Sequence, residues 1–348
     1  MNSENFSKFL KGYLKLFFLI FFLLVGIFLS SLVNAVDLQT LPEEKILKIP
    51  TYDNSNQVVH PDILFAPNKI NDYFYYLVFT PYPFSKDKYE NPSILGSNDG
   101  LEFKELRKGL NPLVGAPKYD HNNDPDIFYN SQDKKFYLFY LETLRPKFQN
   151  LNLLTSTNTL DWQKETVISY NLKKGDEFIL SPSVAEKDGL FYLFFVGRSG
   201  SELKIKYYVS NDLKKWNKDQ EQIADLGLLN NFSPWHLNIV PFGREYYLLV
   251  NGLMGKEKNQ SLFIGRSDNL KDWYFNKEPL IKPGKGFYNT KDIYRSTGLV
   301  DNENLAVWFS FQSRKGNWGV GIKKFKLNKI FSGWEEIKEK GIKWTRLR

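Results

Sequence analysis

The chain contains no cysteine. That excludes disulfides, thiolate-bound zinc and a cysteine nucleophile together. It has three histidines, His60, His121 and His236, so imidazole chemistry has three places to occur. It also lacks a basic stripe interleaved with aromatics. The formal net charge is +8, but 47 Lys and Arg are scattered among 39 Asp and Glu. The footprint of a nucleic-acid surface is missing, and no nucleic-acid partner is expected. The positive balance fits solubility, or attraction to an acidic polymer.

What the chain does have is apolar and aromatic side chains. Of its 348 residues, 42% are hydrophobic and 16% aromatic, enough for a large core. Its one long apolar run, Leu16 to Val33, follows Lys8, Lys11 and Lys15. Val33-Asn34-Ala35 then places small residues at the spacing of a signal-peptidase site. The run is also long enough to span a bilayer. Residues 1–35 therefore read as a signal peptide or a retained anchor, and residues 36–348 as one exported domain. That domain would be secreted, periplasmic or at the cell surface, touching a membrane only through the N-terminal segment.

The domain repeats one pattern. Residues 121 to 142, HNNDPDIFYNSQDKKFYLFYLE, give a polar head, a strand, a polar turn and a second strand. The run Phe136–Leu141 shows no in/out alternation, as suits a strand covered on both faces. The pattern starts again at His60, Ser181, Ser233 and, in weaker form, Tyr294. The units span 58–112, 113–170, 171–226, 227–283 and 284–348, after a polar entry at 36–57. Each of the first four closes on a small signature: Ser97-Asn98-Asp99-Gly100 before Phe103, then Ser156-Thr157-Asn158 before Trp162. Ser210-Asn211-Asp212 before Trp216 and Ser267-Asp268-Asn269 before Trp273 complete the set. Ser, Asn and Asp hold such turns by bonding their own backbone. The aromatic is expected to plug the gap between neighbouring sheets. Phe331-Ser332-Gly333-Trp334 is a worn fifth copy. Trp318 to Leu327 reads as the third strand of the last unit, and Glu44 to Ile49 as a strand completing it.

Five such units predict an all-β fold, a five-bladed β-propeller of four-stranded antiparallel blades. Strand-one starts, strand-two ends and strand-three starts then meet at one rim. That geometry collects His60, Asp62, His121, Asp124, Asp126, Ser181, Trp235, His236 and Arg295 from the heads. It adds Glu142 and Arg198 from strand-two ends and Glu90 from a strand-three start. All three histidines fall in heads, which suits a ligand, or a hydrated metal held through a single neutral imidazole. The carboxylates suit glycoside hydrolysis, which needs two of them flanking the bond. Trp235, Tyr82 and Phe84 offer faces for a sugar ring.

The Asp124-Pro125 head, the Ser-x-Asp-Gly-x-x-aromatic turn and the five-unit layout resemble the five-bladed glycoside hydrolases. These are the arabinanase and β-xylosidase group, family 43, with the invertase and levansucrase group as cousins. The resemblance covers about 58 to 330 as architecture and short motifs. It implies an Asp base at the blade-one head, an Asp at the blade-two head that tunes the acid, and a Glu acid at the blade-three head. It also implies a single calcium ion in the central channel. Asp124 matches the second position. At the first, the carboxylate stands one place past Pro61, at Asp62. At the third, Leu180-Ser181-Pro182-Ser183 replaces the Glu, and the nearest acid is Glu177.

The expectation is an exported carbohydrate-active protein, a glycosidase with Asp62 or Asp124 as base or stabiliser and Glu142 or Glu90 as acid. His60, His121, Asp126, Arg198, Trp235, His236 and Arg295 would bind substrate. No residue is assigned to a metal, and a monomer is expected. The alternative is a carbohydrate-binding propeller without turnover; a bare interaction scaffold would lack convergent carboxylates.

Overall fold

Strands fall into five four-stranded antiparallel sheets. The computed structural model describes residues 36–331 apart from Tyr119, Leu228 and Asn230. The expected N-terminal signal or anchor, and Ser332-Gly333-Trp334, lie outside the described residues. β1 (Glu44–Leu47) opens the chain but belongs to the last sheet. Blade I is β2 (Val58–Ile70), β3 (Tyr73–Pro81), β4 (Ser93–Ser97) and β5 (Lys104–Glu105). Blade II is β6 (Asn122–Asn130), β7 (Lys135–Leu144), β8 (Phe148–Ser156) and β9 (Gln163–Asn171). Blade III is β10 (Leu180–Lys187), β11 (Leu190–Ser199), β12 (Glu202–Ser210) and β13 (Gln222–Ile223). Blade IV is β14 (Phe232–Phe242), β15 (Glu245–Met254), β16 (Ser261–Ser267) and β17 (Tyr274–Phe275). Blade V is β18 (Thr290–Val300), β19 (Asn304–Ser313), β20 (Trp318–Lys326) and then β1.

β1 pairs antiparallel with β20, Glu44 opposite Lys323 and Leu47 opposite Val320. The first strand among the described residues thus completes the last blade. The inner strands β2, β6, β10, β14 and β18 adjoin in that order, and β18 returns to β2. This is the expected five-bladed β-propeller.

The second strands show why their sequences do not alternate. In β7, Tyr137, Phe139 and Leu141 pack in the cluster shared with blade III. Phe136, Leu138 and Tyr140 pack in the cluster shared with blade I. Period-2 geometry sends successive side chains to opposite faces, and both faces are apolar. The signature turns close as expected. Ser97 Oγ accepts the Gly100 N–H at 3.0 Å, and Asp99 Oδ1 accepts the N–H groups of Leu101 and Glu102 at 2.9 Å. Gly100 has φ +71°, and a Cβ there would stand 3.2 Å from the Trp308 ring. Trp273 is fully buried in the cluster between blades III and IV.

Blades meet face to face, so another device ties their inner strands together. Side chains accept the backbone N–H of the next blade. Asp62 Oδ2 takes Ile127 N–H at 2.6 Å, and Asp126 Oδ2 takes Val184 N–H at 3.0 Å. Ser183 Oγ takes Ile239 N–H at 3.0 Å, and Thr297 Oγ1 takes Ile63 N–H at 3.1 Å. These residues form a ring around the channel, here called the waist. The ring satisfies backbone donors that would otherwise be buried unpaired.

Candidate active site

The heads of β2, β6 and β10 are each an X-Pro pair, and each carries a register shift. Proline removes a ladder donor, so the strand bulges there. The residue before it has left-handed φ: +54° at His60, +53° at Asp124 and +54° at Ser181. Such φ is rare for residues with a side chain, and rarer before proline, which favours extended backbone. The bend turns the His60 and Asp124 side chains and the Ser181 N–H to one point at the mouth, while Ser181 Oγ bonds the Leu237 backbone.

That point is Asp124, fully buried. Arg295 Nη1 donates to its Oδ1 at 3.0 Å. His236 Nδ1 lies 3.2 Å from the same oxygen and His60 Nε2 3.4 Å from it. Asp124 Oδ2 accepts the Ser181 N–H and Asn123 Nδ2–H, both at 3.2 Å. Heads from blades I, II, III, IV and V therefore converge on one carboxylate.

The two imidazoles are close to Asp124 but poorly aligned with it. His60 Nε2 and His236 Nε2 have no hydrogen-bond partner, and His236 Nδ1 approaches Asp124 without full alignment. The other nitrogen of His60 has one, since Nδ1 sits 2.9 Å from Thr80 Oγ1. Burial pushes both imidazoles below their usual range, His60 far below, with Asp124 opposing the shift. Burial alone would raise the Asp124 carboxyl, but His60, His236 and Arg295 hold it well below the usual range. His60, Asp124 and His236 offer three ligand atoms lying within 4.8 Å of one another. Two imidazoles and a carboxylate are a donor set for a divalent ion such as zinc. The sequence suggested one imidazole and no assigned ligands.

Glu90 stands on the other side of His60. Its Oε2 lies 3.9 Å from His60 Nδ1 and 3.9 Å from His121 Nε2. Burial, then the charges of Asp124 and Asp87, raise its carboxyl well above the usual range. His121 Nδ1 contacts the Asp120 carboxylate, which Arg145 grips through Nε and Nη2, both at 3.2 Å. Tyr294 walls the cluster, its ring 4.5 Å from His236 and 5.5 Å from His60. Trp235 flanks His236 at 6.1 Å.

Four expected residues do not join this cluster. Asp62 and Asp126 belong to the waist. Asp62 Oδ1 accepts from Thr297 Oγ1–H at 2.7 Å and from Asn238 Nδ2–H at 3.0 Å, besides holding Ile127 N–H. Asp126 Oδ1 shares the Asn238 amide at 3.4 Å. Their lone pairs serve the fold, so the base role expected of Asp62 and the substrate role expected of Asp126 pass elsewhere. The Asn238 amide also points a donor between the two carboxyls. The waist therefore does not fit the calcium ion that the resemblance implied, which needs a cage of six to eight oxygens. Glu142 faces outward across blade II. Asn152 and Asn150 donate to its Oε2 at 3.0 and 3.3 Å, and Lys164 to its Oε1 at 3.5 Å. Against burial, these bonds hold its carboxyl below the usual range, which is wrong for an acid. Arg198 is exposed and lines a groove beside Trp235, outside the cluster.

Asp120, Arg145 and Tyr294 were not anticipated. Asp120 and Tyr294 directly precede predicted residues in their heads, a usable signal. Arg145 lies past the end of β7, and nothing local marks it.

No family model matches the chain. An A type blood N-acetyl-α-D-galactosamine deacetylase from Flavonifractor plautii is 26% identical over 316 residues, covering 75% of this chain. The chain spans 41% of that relative's length. The crystal structure of an N-acetylgalactosamine deacetylase from F. plautii, in complex with blood group B trisaccharide, superposes with a TM-score of 0.71 at 21% identity. It covers 82% of this chain and 96% of that one. The catalytic domain of a GH62 α-L-arabinofuranosidase from Coprinopsis cinerea gives 0.58 at 16% identity, covering 82% and 96%. An α-L-arabinanase from Cellvibrio cellulosa, complexed with arabinohexaose, gives 0.53 at 16% identity, covering 78% and 91%. What they share with this chain is the propeller.

Proposed function

We propose that the protein is an exported carbohydrate-active hydrolase that removes the acetyl group of an acetamido sugar at the propeller mouth. One observation carries the reading: two buried imidazoles and a buried carboxylate bring ligand atoms within 4.8 Å of one another, with imidazole nitrogens left without hydrogen-bond partners. His60, Asp124 and His236 would hold a divalent ion there. Such an ion, when bound, polarises an amide carbonyl and lets a water ionise near neutral pH. Arg295 fixes Asp124 and adds positive charge where an oxyanion develops. Glu90, whose carboxyl burial favours in the protonated form, gives its proton to the nitrogen as the C–N bond breaks. The attacking water loses one proton to solvent and its oxygen bonds to the acyl carbon, and the acetic acid released returns a proton to Glu90 as it leaves as acetate. His121, steadied by Asp120, faces Glu90 and fixes its position. The deacetylase named among the relatives supports this chemistry. Export is supported by the lysines and apolar run at the N-terminus, and cell fractionation checks it.

The second reading is glycoside hydrolysis, favoured by the arabinanase-type neighbours in fold and by a protonated Glu90 as acid. The test separates them. Neutral oligosaccharides ending in N-acetylgalactosamine or N-acetylglucosamine are incubated with the protein. Free acetate and new amine without new reducing ends support deacetylation. New reducing ends with the acetamido group intact support the glycosidase. Neither product would leave a binding propeller.

A further inference from the structure

We propose that the groove leaving the mouth between blades III and IV is a subsite for an acidic sugar unit, so that the glycan taken is anionic. This deepens the proposed function and rests on it only for the reacting end of the substrate.

The groove has a volume of about 800 Å³, the size of a small-ligand site. It is continuous with the mouth at two residues. Trp235 lines it and flanks His236. Arg145 lines it and holds Asp120, which holds His121. Phe178 adds a second aromatic wall. Its charged lining is Arg145, Arg198, Lys204 and one acid, Glu202.

Most of that charge is already matched. Glu202 lies 2.6 Å from Lys204, and Arg145 is shared between Asp120 and Asp87. Arg198, near the end of β11, is exposed and has no carboxylate partner among the described residues. At the ends of the other second strands stand Thr80, Glu142, Asn251 and Gln312, so the cation is peculiar to blade III. A guanidinium without a carboxylate partner, in a groove that Trp235 and Phe178 also line, is the chemistry that grips a carboxylate or sulfate while a sugar face stacks. A neutral sugar would leave Arg198 to water. An acidic one gains charge-assisted hydrogen bonds.

The test is calorimetric binding to the purified protein. The probes are a hexasaccharide of alternating glucuronate and N-acetylglucosamine, its methyl ester, and its sulfated form. Wild type should bind the acid at least about tenfold more tightly than the ester, the worth of one charge-assisted contact. Arg198→Gln should bind acid and ester alike, and Arg198→Lys should keep part of the preference. Tighter binding of the sulfated form, also lost in Arg198→Gln, would assign the acid as sulfate. Equal affinity of acid and ester in wild type, or a preference that survives Arg198→Gln, overturns the proposal. Acetate release is read separately. Acid-selective binding without acetate keeps the groove and rejects the acetamido reading; acetate without acid selectivity does the reverse.

Discussion

The mouth and the waist stand two residues apart on the same inner strands, and both bury carboxylates. At the waist, Asp62 and Asp126 accept backbone N–H groups of the next blade and share Asn238. At the mouth, Asp124 is equally buried, yet the imidazoles around it keep nitrogens without partners, and three backbones are bent to left-handed φ. Buried acid alone therefore does not mark a reactive site. Unmet hydrogen-bonding capacity and left-handed backbone gathered on one set of ligand-type side chains do. The waist holds the blades together, and the mouth is free to react.

Substitutions can break that contrast. The largest effect is expected from Asp124→Asn. It strands the fully buried Arg295, costing about 3–5 kcal/mol of stability, and it removes turnover. Equilibrium denaturation and acetate release check both. Glu90→Gln should follow, cutting turnover by about 10²–10⁴-fold with stability unchanged, since burial already keeps that carboxyl protonated. If Glu90→Gln keeps its rate, the proton carrier lies elsewhere.

At the waist the signature is pH-dependent stability. Burial raises the carboxyls of Asp62 and Asp126, Asp126 also through the charge of Asp62. Groups raised above the unfolded value of 3.8 stabilise fully below it. Their contribution is lost as pH rises through their folded values. Asp126→Asn should flatten that decline in denaturation midpoints measured across pH, whereas Glu90→Gln should leave the waist's share intact. The smallest effect is Ser183→Ala, which orphans the Ile239 N–H and costs about 1–3 kcal/mol. Its rate per folded molecule should equal wild type.

Much of the fold was legible because it is repetitive. The aromatic second strands, the Ser-Asn-Asp turns and the strand at Glu44 all follow from pattern and turn chemistry. The heads were legible too: His60, Asp124, His236 and Arg295 meet as their places in the repeat required. Which carboxylate of a head faces the mouth was not. Alternation puts Asp124 and Asp126 on one face, but the bulge at Asn123–Asp126 separates them, and local sequence favours extended backbone at Asp124. Glu142 misled for a related reason. Its position at the end of β7 is right, but its side chain turns toward Asn150 and Asn152 on β8. Arg145 reaches Asp120 within blade II, across the β6–β7 pair, but the turn past β7 that carries it has no sequence signal of its own.

The most direct measurement is divalent-ion binding by calorimetry on metal-stripped wild type, Asp124→Asn and Asp62→Asn. The account predicts one zinc-class ion per chain in wild type and Asp62→Asn, and none in Asp124→Asn. Binding that survives Asp124→Asn but disappears in Asp62→Asn would move the site to the waist and contradict the account.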